Sequence, residues 1–165
     1  MRSLNRNYAL TLLAVSVAFG VSAPAAAAGA APSATITMNW QTPYVNSAPY
    51  VGTGSGTFSA AGSSINDSGS LSVAFHLGAA PSPSGLSVHS DRTLTGTLGT
   101  ITLHCNEIAH NFTNPAAVPL TGNCTVIGGS GAYAGLHGHG TLTGSADTSG
   151  PTTAFLTEVL QLSTP

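Results

Sequence analysis

Apolar and polar residues alternate along most of the chain after residue 33, and this pattern predicts β-strands. Ala34, Ile36, Met38 and Trp40 alternate with threonine and asparagine, which indicates a strand with one buried face. Similar segments follow, separated by the glycine, proline, asparagine and aspartate residues that are typical of turns. No segment of this part has a helical repeat of useful length. The pattern therefore predicts an all-β protein of about eight strands.

The predicted strands carry aliphatic residues on one face and threonine or serine on the other. Segments 71–77, 86–98 and 101–105 follow this rule, and the closing segment 154–162 is apolar on both faces. Few charges are present to block unwanted pairing at a sheet edge, and closing the sheet removes its edges. We therefore expect an antiparallel closed barrel rather than the alternative, a sandwich of two sheets.

Glycine-rich segments interrupt this pattern at two places. Glycine stands at alternate positions of segment 50–60, which indicates a strongly bent strand or one that another backbone approaches closely. A second segment follows a predicted loop at 111–119 and a short strand at 124–127. It is interpreted as a structural turn anchored by Tyr133, and its glycines are Gly128, Gly129, Gly131, Gly138 and Gly140.

The N-terminal 28 residues have the organisation of a secretory signal peptide. Arg2 and Arg6 precede an apolar run at 8–21, and A-x-A patterns follow at 25–28. The run is shorter than the ~20 residues of a membrane-spanning helix, which favours a signal peptide over an anchor. We expect a secreted protein with a flexible lead at 29–33 and one barrel domain at 34–165.

The charge composition excludes several classes of partner. Beyond the predicted signal peptide there is no lysine, and Arg92 is the one arginine. A single arginine cannot neutralise a run of phosphates, so nucleic acid is excluded as a partner. The same argument applies to an anionic membrane surface, and no further apolar run predicts membrane insertion after signal cleavage.

The two cysteines predict one disulfide. Cys105 and Cys124 form an even pair in a chain with an export signal, and such a bond stabilises by about 3 kcal/mol in the chain-entropy model. Two free thiols are the alternative. A metal site is the weakest interpretation, because there is no CxxC motif.

Three charged residues share the strand face of apolar neighbours. Arg92 has the parity of Leu94, Glu107 that of Leu103, and Glu158 lies between two leucines. Inside a barrel, such a carboxylate could act as a general acid or base. In the alternative, Arg92 lies in a bulge and both glutamates lie near strand ends in water. Charged residues are rarely buried unless paired, so the sequence favours the solvated arrangement.

Histidine could provide metal ligands, but the pattern argues against a site. His137 and His139 are two residues apart and therefore on one side of a strand, a spacing that suits a transition metal. They lie on the threonine-rich face, as do His76, His89 and His104, which favours solvated side chains. We expect no metal and no cofactor. No Gly-x-Ser-x-Gly elbow is present, so a hydrolytic triad is not supported.

The order of features resembles the allene oxide cyclase and dirigent-like β-barrel family, including secreted bacterial relatives. Phe58 and the turn 62–69 come first, segment 94–101 (LTGTLGTI) follows, and segment 126–138 (VIGGSGAYAGLHG) completes the set. The last segment is similar to the Val-x-Gly-Gly-Thr-Gly-x-Phe/Tyr turn of that family. The resemblance covers residues 34–162, and only this turn is specific. Ala132 stands where dirigent proteins often have arginine, and the pocket acids of neither group are matched.

This resemblance implies an eight-stranded antiparallel, calycin-like barrel with an apolar cavity and allows a homo-oligomer. Plant members guide ring closure of an epoxide or coupling of phenoxy radicals. The leading hypothesis is a secreted barrel that binds a small apolar ligand through four residues. These are Trp40, Phe75, Leu103 and Leu142. The first alternative is an isomerase or cyclase with Glu107 or Glu158 as acid or base and Arg92 as the group that holds a carboxylate. The second is a non-catalytic protein of the cell envelope.

Overall fold

Eight strands form a closed antiparallel barrel in the computed structural model, which describes residues 33–45, 48–78 and 85–165. Each strand pairs with the next in sequence, and β8 pairs with β1 to close the sheet. The predicted barrel is confirmed and the sandwich alternative is wrong. The signal peptide at 1–28 and most of the lead at 29–33 lie outside the described residues. The strands are β1 (Ala34–Pro43), β2 (Val51–Gly62), β3 (Asp67–Leu77), β4 (Leu86–Gly96), β5 (Gly99–Ala109), β6 (Val118–Gly131), β7 (Gly138–Asp147) and β8 (Thr153–Ser163).

The inward faces of the strands form the core, as their parity predicts. Leu71, Phe75, Ile101 and Leu103 are all buried, while the threonine and serine residues between them face outward or lie at the rim. Because side chains alternate between the two faces of a strand, each strand contributes every second residue to the interior. The interior of the barrel is therefore filled mainly by apolar side chains.

The alternate glycines of β2 make room for two aromatic rings. A Cβ atom on Gly54 would lie 2.5 Å from the Trp40 ring, and one on Gly52 would lie 2.5 Å from the Phe75 ring. Both distances are far below a van der Waals contact, so a side chain at either position would displace a ring. The predicted close approach of another backbone is found at Gly56, where a Cβ atom would clash with the backbone of Asn39; at Gly52 and Gly54 the nearest atoms belong to aromatic rings instead.

Strand β6 is longer than the sequence predicts. It begins at Val118, inside the predicted loop, and continues through Gly128, Gly129 and Gly131, which were interpreted as a turn. The three glycines pair with β5, after a bulge at which Ile127 has no partner. Gly138 and Gly140 lie in β7, where the sequence also predicts a strand from residue 136 to residue 146. The predicted glycine turn is thus wrong at 128–131: the connection between the two strands is residues 132–137.

Tyr133 closes one end of the barrel. Its ring is buried with Ile65, and its hydroxyl donates a hydrogen bond to Asp67 Oδ2 at 3.1 Å. Asp67 also accepts bonds from the backbone N–H groups of Thr97 and Leu98. We call this the turn end, because its connections are short: 63–66, 97–98 and 132–137.

The opposite, or loop, end carries longer connections and a separate apolar cluster. The connections are 44–50, 78–85, 110–117 and 148–152. Ala109, Val118, Leu120 and Ala146 form a second buried cluster there, distinct from the main core. The two ends of the barrel therefore differ in loop length and in the residues that cover them.

A disulfide joins β5 to β6 inside the barrel. Cys105 and Cys124 are direct partners in the antiparallel register, and their sulfur atoms are 2.06 Å apart. Both side chains are buried. The predicted disulfide is therefore present, and the described residues include no free cysteine.

Candidate functional site

A cavity of about 310 Å³ opens at the loop end of the barrel, and we call it the end cavity. Aromatic rings of Trp40, Phe75 and Phe112 line it together with aliphatic side chains from the six strands β3 to β8. The remaining described lining residues are Thr42, Pro43, Tyr44, Val45, Leu77, Leu86, Val88, Ala109, Val118, Leu120, Ala146, Thr148, Ala154 and Leu156. None of these residues is charged. The end cavity is thus a concave apolar site with a few hydroxyl groups, as small-molecule sites commonly are.

Trp40 forms part of the wall of the end cavity and is held by a group deeper in the barrel. Its indole N–H donates a hydrogen bond of 2.7 Å to Glu158 Oε2. The ring centroids of Trp40 and Phe75 are 6.1 Å apart, and the Arg92 guanidinium carbon lies 5.6 Å from the Trp40 ring centroid. Trp40 therefore connects the end cavity to a buried cluster of charges.

This ion cluster consists of Arg92 from β4, Glu107 from β5 and Glu158 from β8. Arg92 donates to Glu158 Oε2 at 2.5 Å and to Glu158 Oε1 at 3.2 Å, and it is also bonded to Glu107. Ser90 accepts a bond from Arg92 Nε and donates to Glu107, both at 3.1 Å. Arg92 and Glu158 are 0% exposed and Glu107 is 3% exposed. The three charges are paired and shut off from solvent.

The sequence pattern was right about the parity of these residues, but the favoured solvated arrangement is wrong. Arg92 is not in a bulge, because β4 pairs continuously with β3 and β5 through Ser90, Asp91 and Arg92. The glutamates are buried because Arg92 and Ser90 satisfy them, which is the condition under which charges are found inside proteins. The paired arrangement thus replaces the solvated one.

Two glycines provide space for the two glutamates. Gly122 is the register partner of Glu107, and Gly144 is the partner of Glu158. A Cβ atom at these glycines would lie 2.8 Å from Glu107 Cγ and 2.7 Å from Glu158 Cγ. The glycine on each neighbouring strand is therefore a condition for the inward glutamate beside it.

Burial and charge balance shift the pKa values in the ion cluster. Burial, reinforced by the negative charge of Glu158, raises the pKa of Glu107 to about 7, although Arg92 opposes the change. Burial alone would lower the pKa of Arg92, but the two glutamates raise it above its ordinary value. Because one cation faces two carboxyl groups, Glu107 and Glu158 together favour holding one proton. Glu107 therefore has the acid strength of a general acid or base, but it does not line the end cavity.

The four predicted ligand-binding residues lie at different depths in the barrel. Trp40 and Phe75 line the end cavity, whereas Leu103 and Leu142 are buried in the main core and are not in its wall. Sequence reasoning did not identify Phe112, which fell in the predicted loop at 111–119, or Leu120, which fell between that loop and the predicted strand at 124–127. Leu156 belongs to an inward face that the sequence did identify.

The histidines lie on the outside of the barrel. His137 and His139 are exposed, and Nδ1 of His137 lies 2.9 Å from the carbonyl oxygen of Gly135. On β4 and β5, His89 bonds to Asn106 and His104 bonds to Asp91. Within residues 33–45, 48–78 and 85–165, no three His, Cys, Asp or Glu side chains are grouped so that they could hold a metal ion. The part of the chain that the structure describes also contains no helix long and apolar enough to cross a membrane.

Comparison of the chain with protein-family models, with curated proteins and with solved structures gave no match. The site is therefore interpreted from its own geometry.

Proposed function

We propose that this chain is a secreted barrel protein that binds a small apolar molecule in the end cavity. The observation that carries the proposal is an apolar cavity of about 310 Å³ without a charged residue among its described lining residues. The sequence resemblance to the allene oxide cyclase and dirigent-like barrels belongs to the same proposal, since it implies a barrel with an apolar cavity. Secretion rests on the predicted signal peptide and is supported by the disulfide.

An isomerase or cyclase is the second candidate function, and one observation favours it. The pKa of Glu107 is raised to about 7 by burial, which suits a group that exchanges protons near neutral pH. However, neither glutamate lines the end cavity, and Trp40, which does, covers Glu158 by its hydrogen bond. A reacting molecule would have to displace Trp40 to reach a carboxyl group, so binding without turnover is the better-supported function.

The binding proposal can be tested with 1-adamantanol, a compact neutral probe that absorbs no near-ultraviolet light. Trp40 is the single tryptophan of the chain and lines the end cavity, so its emission reports on occupancy. We expect 1-adamantanol to shift the emission and to give a saturable heat signal in titration calorimetry.

A cavity-filling variant provides the control. Ala146→Leu adds a branched side chain to the wall of the end cavity and should abolish binding, whereas Ala74→Leu on the outer face of β3 should leave it unchanged. Equal binding by both variants would contradict the proposed site. Absence of binding by the unmodified protein would favour the envelope protein without a ligand.

A further inference from the structure

The hydrogen-bond donors in the wall of the end cavity are already used within the protein. Trp40 donates to Glu158, and the hydroxyl of Thr42 donates to the carbonyl oxygen of Thr53 at 3.0 Å. Tyr44 donates to Gly150 O at 3.1 Å and Thr148 to Pro115 O at 3.0 Å. The remaining described lining side chains are apolar. Among the described lining residues, an enclosed carboxylate or carbonyl group would therefore find no free side-chain donor, although the hydroxyl oxygens can still accept a bond.

Charges near the loop end give no support to an anionic ligand either. Connections 44–50, 78–85, 110–117 and 148–152 contain no lysine, arginine, aspartate or glutamate, and their one titratable cation is His110. His110 Nε2 is already bonded to Thr121 at 2.9 Å. The carboxylate of Asp147, which precedes the lining residue Thr148, accepts hydrogen bonds from Ser149. These hydrogen bonds keep the pKa of Asp147 below its ordinary value. The one fixed charge next in sequence to a lining residue of these connections is thus negative, and the ion cluster below is internally paired.

The volume of the end cavity limits the size of its occupant. An apolar cavity of about 150 Å³ in another protein accepts benzene, which corresponds to roughly 25 Å³ for each non-hydrogen atom. The end cavity has about twice that volume, about 310 Å³. At the same density it would enclose roughly 12 non-hydrogen atoms. A long-chain lipid or a sterol exceeds this space.

From these three observations we infer that the ligand is an uncharged, compact hydrocarbon-like molecule of bicyclic size, with at most a hydroxyl or similar donor group. This inference rests on the proposed binding function and narrows its ligand class. It excludes ligands whose charged group would be enclosed in the end cavity, because burying an unpaired charge is strongly unfavourable.

Three probes with the same adamantane cage test the inference in titration calorimetry at neutral pH. They are 1-adamantanol, 1-adamantanecarboxylate and 1-adamantylammonium, which carry a neutral, a negative and a positive group; the ammonium ion matches the alcohol in size, and the carboxylate is slightly larger. We expect the alcohol to bind at least about tenfold more tightly than either ion. Equal affinity for the carboxylate would overturn the inference and leave the binding function standing. Failure of all three probes would count against the binding function itself.

A variant that should gain affinity for the carboxylate tests the inference without relying on weak binding of the ions. Leu86→Lys places a base in the wall of the end cavity at the start of β4, and it should raise affinity for the carboxylate and not for the alcohol. Ser87→Lys is the matched control, because the next residue of the strand points to the other face. If both lysine variants raised carboxylate affinity equally, the charge-free wall would not be what excludes anions.

Discussion

The same eight strands run to both ends of this barrel, but different residues cover each end. At the turn end, the ring of Tyr133 is buried and its hydroxyl is bonded to Asp67, which also fixes the β4–β5 turn. At the loop end, Phe112 is 42% exposed and the apolar wall around it encloses empty volume. The turn end is thus closed by a specific polar contact, whereas the loop end has an apolar wall that surrounds the end cavity.

This difference teaches where a barrel of this size can bind a ligand. The middle is filled by side chains such as Leu103 and Leu142, so no channel runs along the axis. Small residues, including Ala109, Ala146 and Ala154, collect where the longer connections lie. Function is commonly carried by such connections on a rigid scaffold. The ion cluster lies below this site and supports its wall through Trp40.

The largest effect should follow from breaking the ion cluster, which lies inside the barrel and supports the wall of the end cavity through Trp40. Arg92→Met leaves Glu107 and Glu158 buried without a cation, and removing one partner of a buried ion pair typically destabilises by about 3–5 kcal/mol. We expect a loss of this size in chemical unfolding with the disulfide intact. Replacing all three residues by leucine or methionine should recover much of it. A variant Arg92→Met of unchanged stability would contradict the paired arrangement.

A matched pair of aromatic truncations separates the two ends. Tyr133→Ala at the turn end removes a ring that is 5% exposed and should lower the free energy of unfolding by about 3 kcal/mol. Phe112→Ala at the loop end removes a ring that is 42% exposed and should lower it by less than about 1 kcal/mol. Only Phe112→Ala should weaken binding of 1-adamantanol. Equal losses of stability would show that the ends do not differ as described.

The strands and their inward faces could be predicted because alternation is visible in a single sequence. The start of β6 could not, since Pro115 and Pro119 indicated a loop. Pro119 is the second residue of the strand, a position where a missing N–H group is tolerated. The glycines at the other end of β6 were interpreted as a turn for a similar reason: flexibility is visible in sequence, but backbone pairing is not.

The candidate site was predictable only in part, because depth along the barrel axis depends on register. Parity placed Leu103 and Trp40 on the same inward surface, but it could not show that one lies in the core and the other at the end cavity. The ion cluster could not be predicted for the same reason. Arg92, Glu107 and Glu158 come from three strands, and only their register brings the charges together. Without that register, the general rule against buried charge favoured the wrong arrangement.

The smallest of the three effects is a pH dependence that distinguishes the ion cluster from the turn end. Between pH 4.5 and about 7, folded Glu107 keeps a proton that the unfolded chain releases. The folded state therefore binds more protons, so its stability falls as pH rises through this window and the loss is complete above it. Asp67 affects stability in a different pH range. Burial would raise the pKa of Asp67, but hydrogen bonds from Leu98, Ser68 and Thr97 lower it to about 2, so its contribution disappears only as the solution becomes strongly acidic.

Glu107→Gln keeps the shape of the protonated carboxyl group and removes its titration, which isolates the contribution of the ion cluster. We expect chemical unfolding of the unmodified protein to lose on the order of 2 kcal/mol between pH 4.5 and 7, since one unit of pKa shift corresponds to about 1.4 kcal/mol. The Gln variant should have a flat profile there and should be the more stable protein at the upper limit. Asp67→Asn, the control at the turn end, should keep the slope of the unmodified protein in this window. A slope that persisted in Glu107→Gln would mean that another group titrates in this pH range. The ion cluster would then not be what sets the pH dependence of stability near neutral pH.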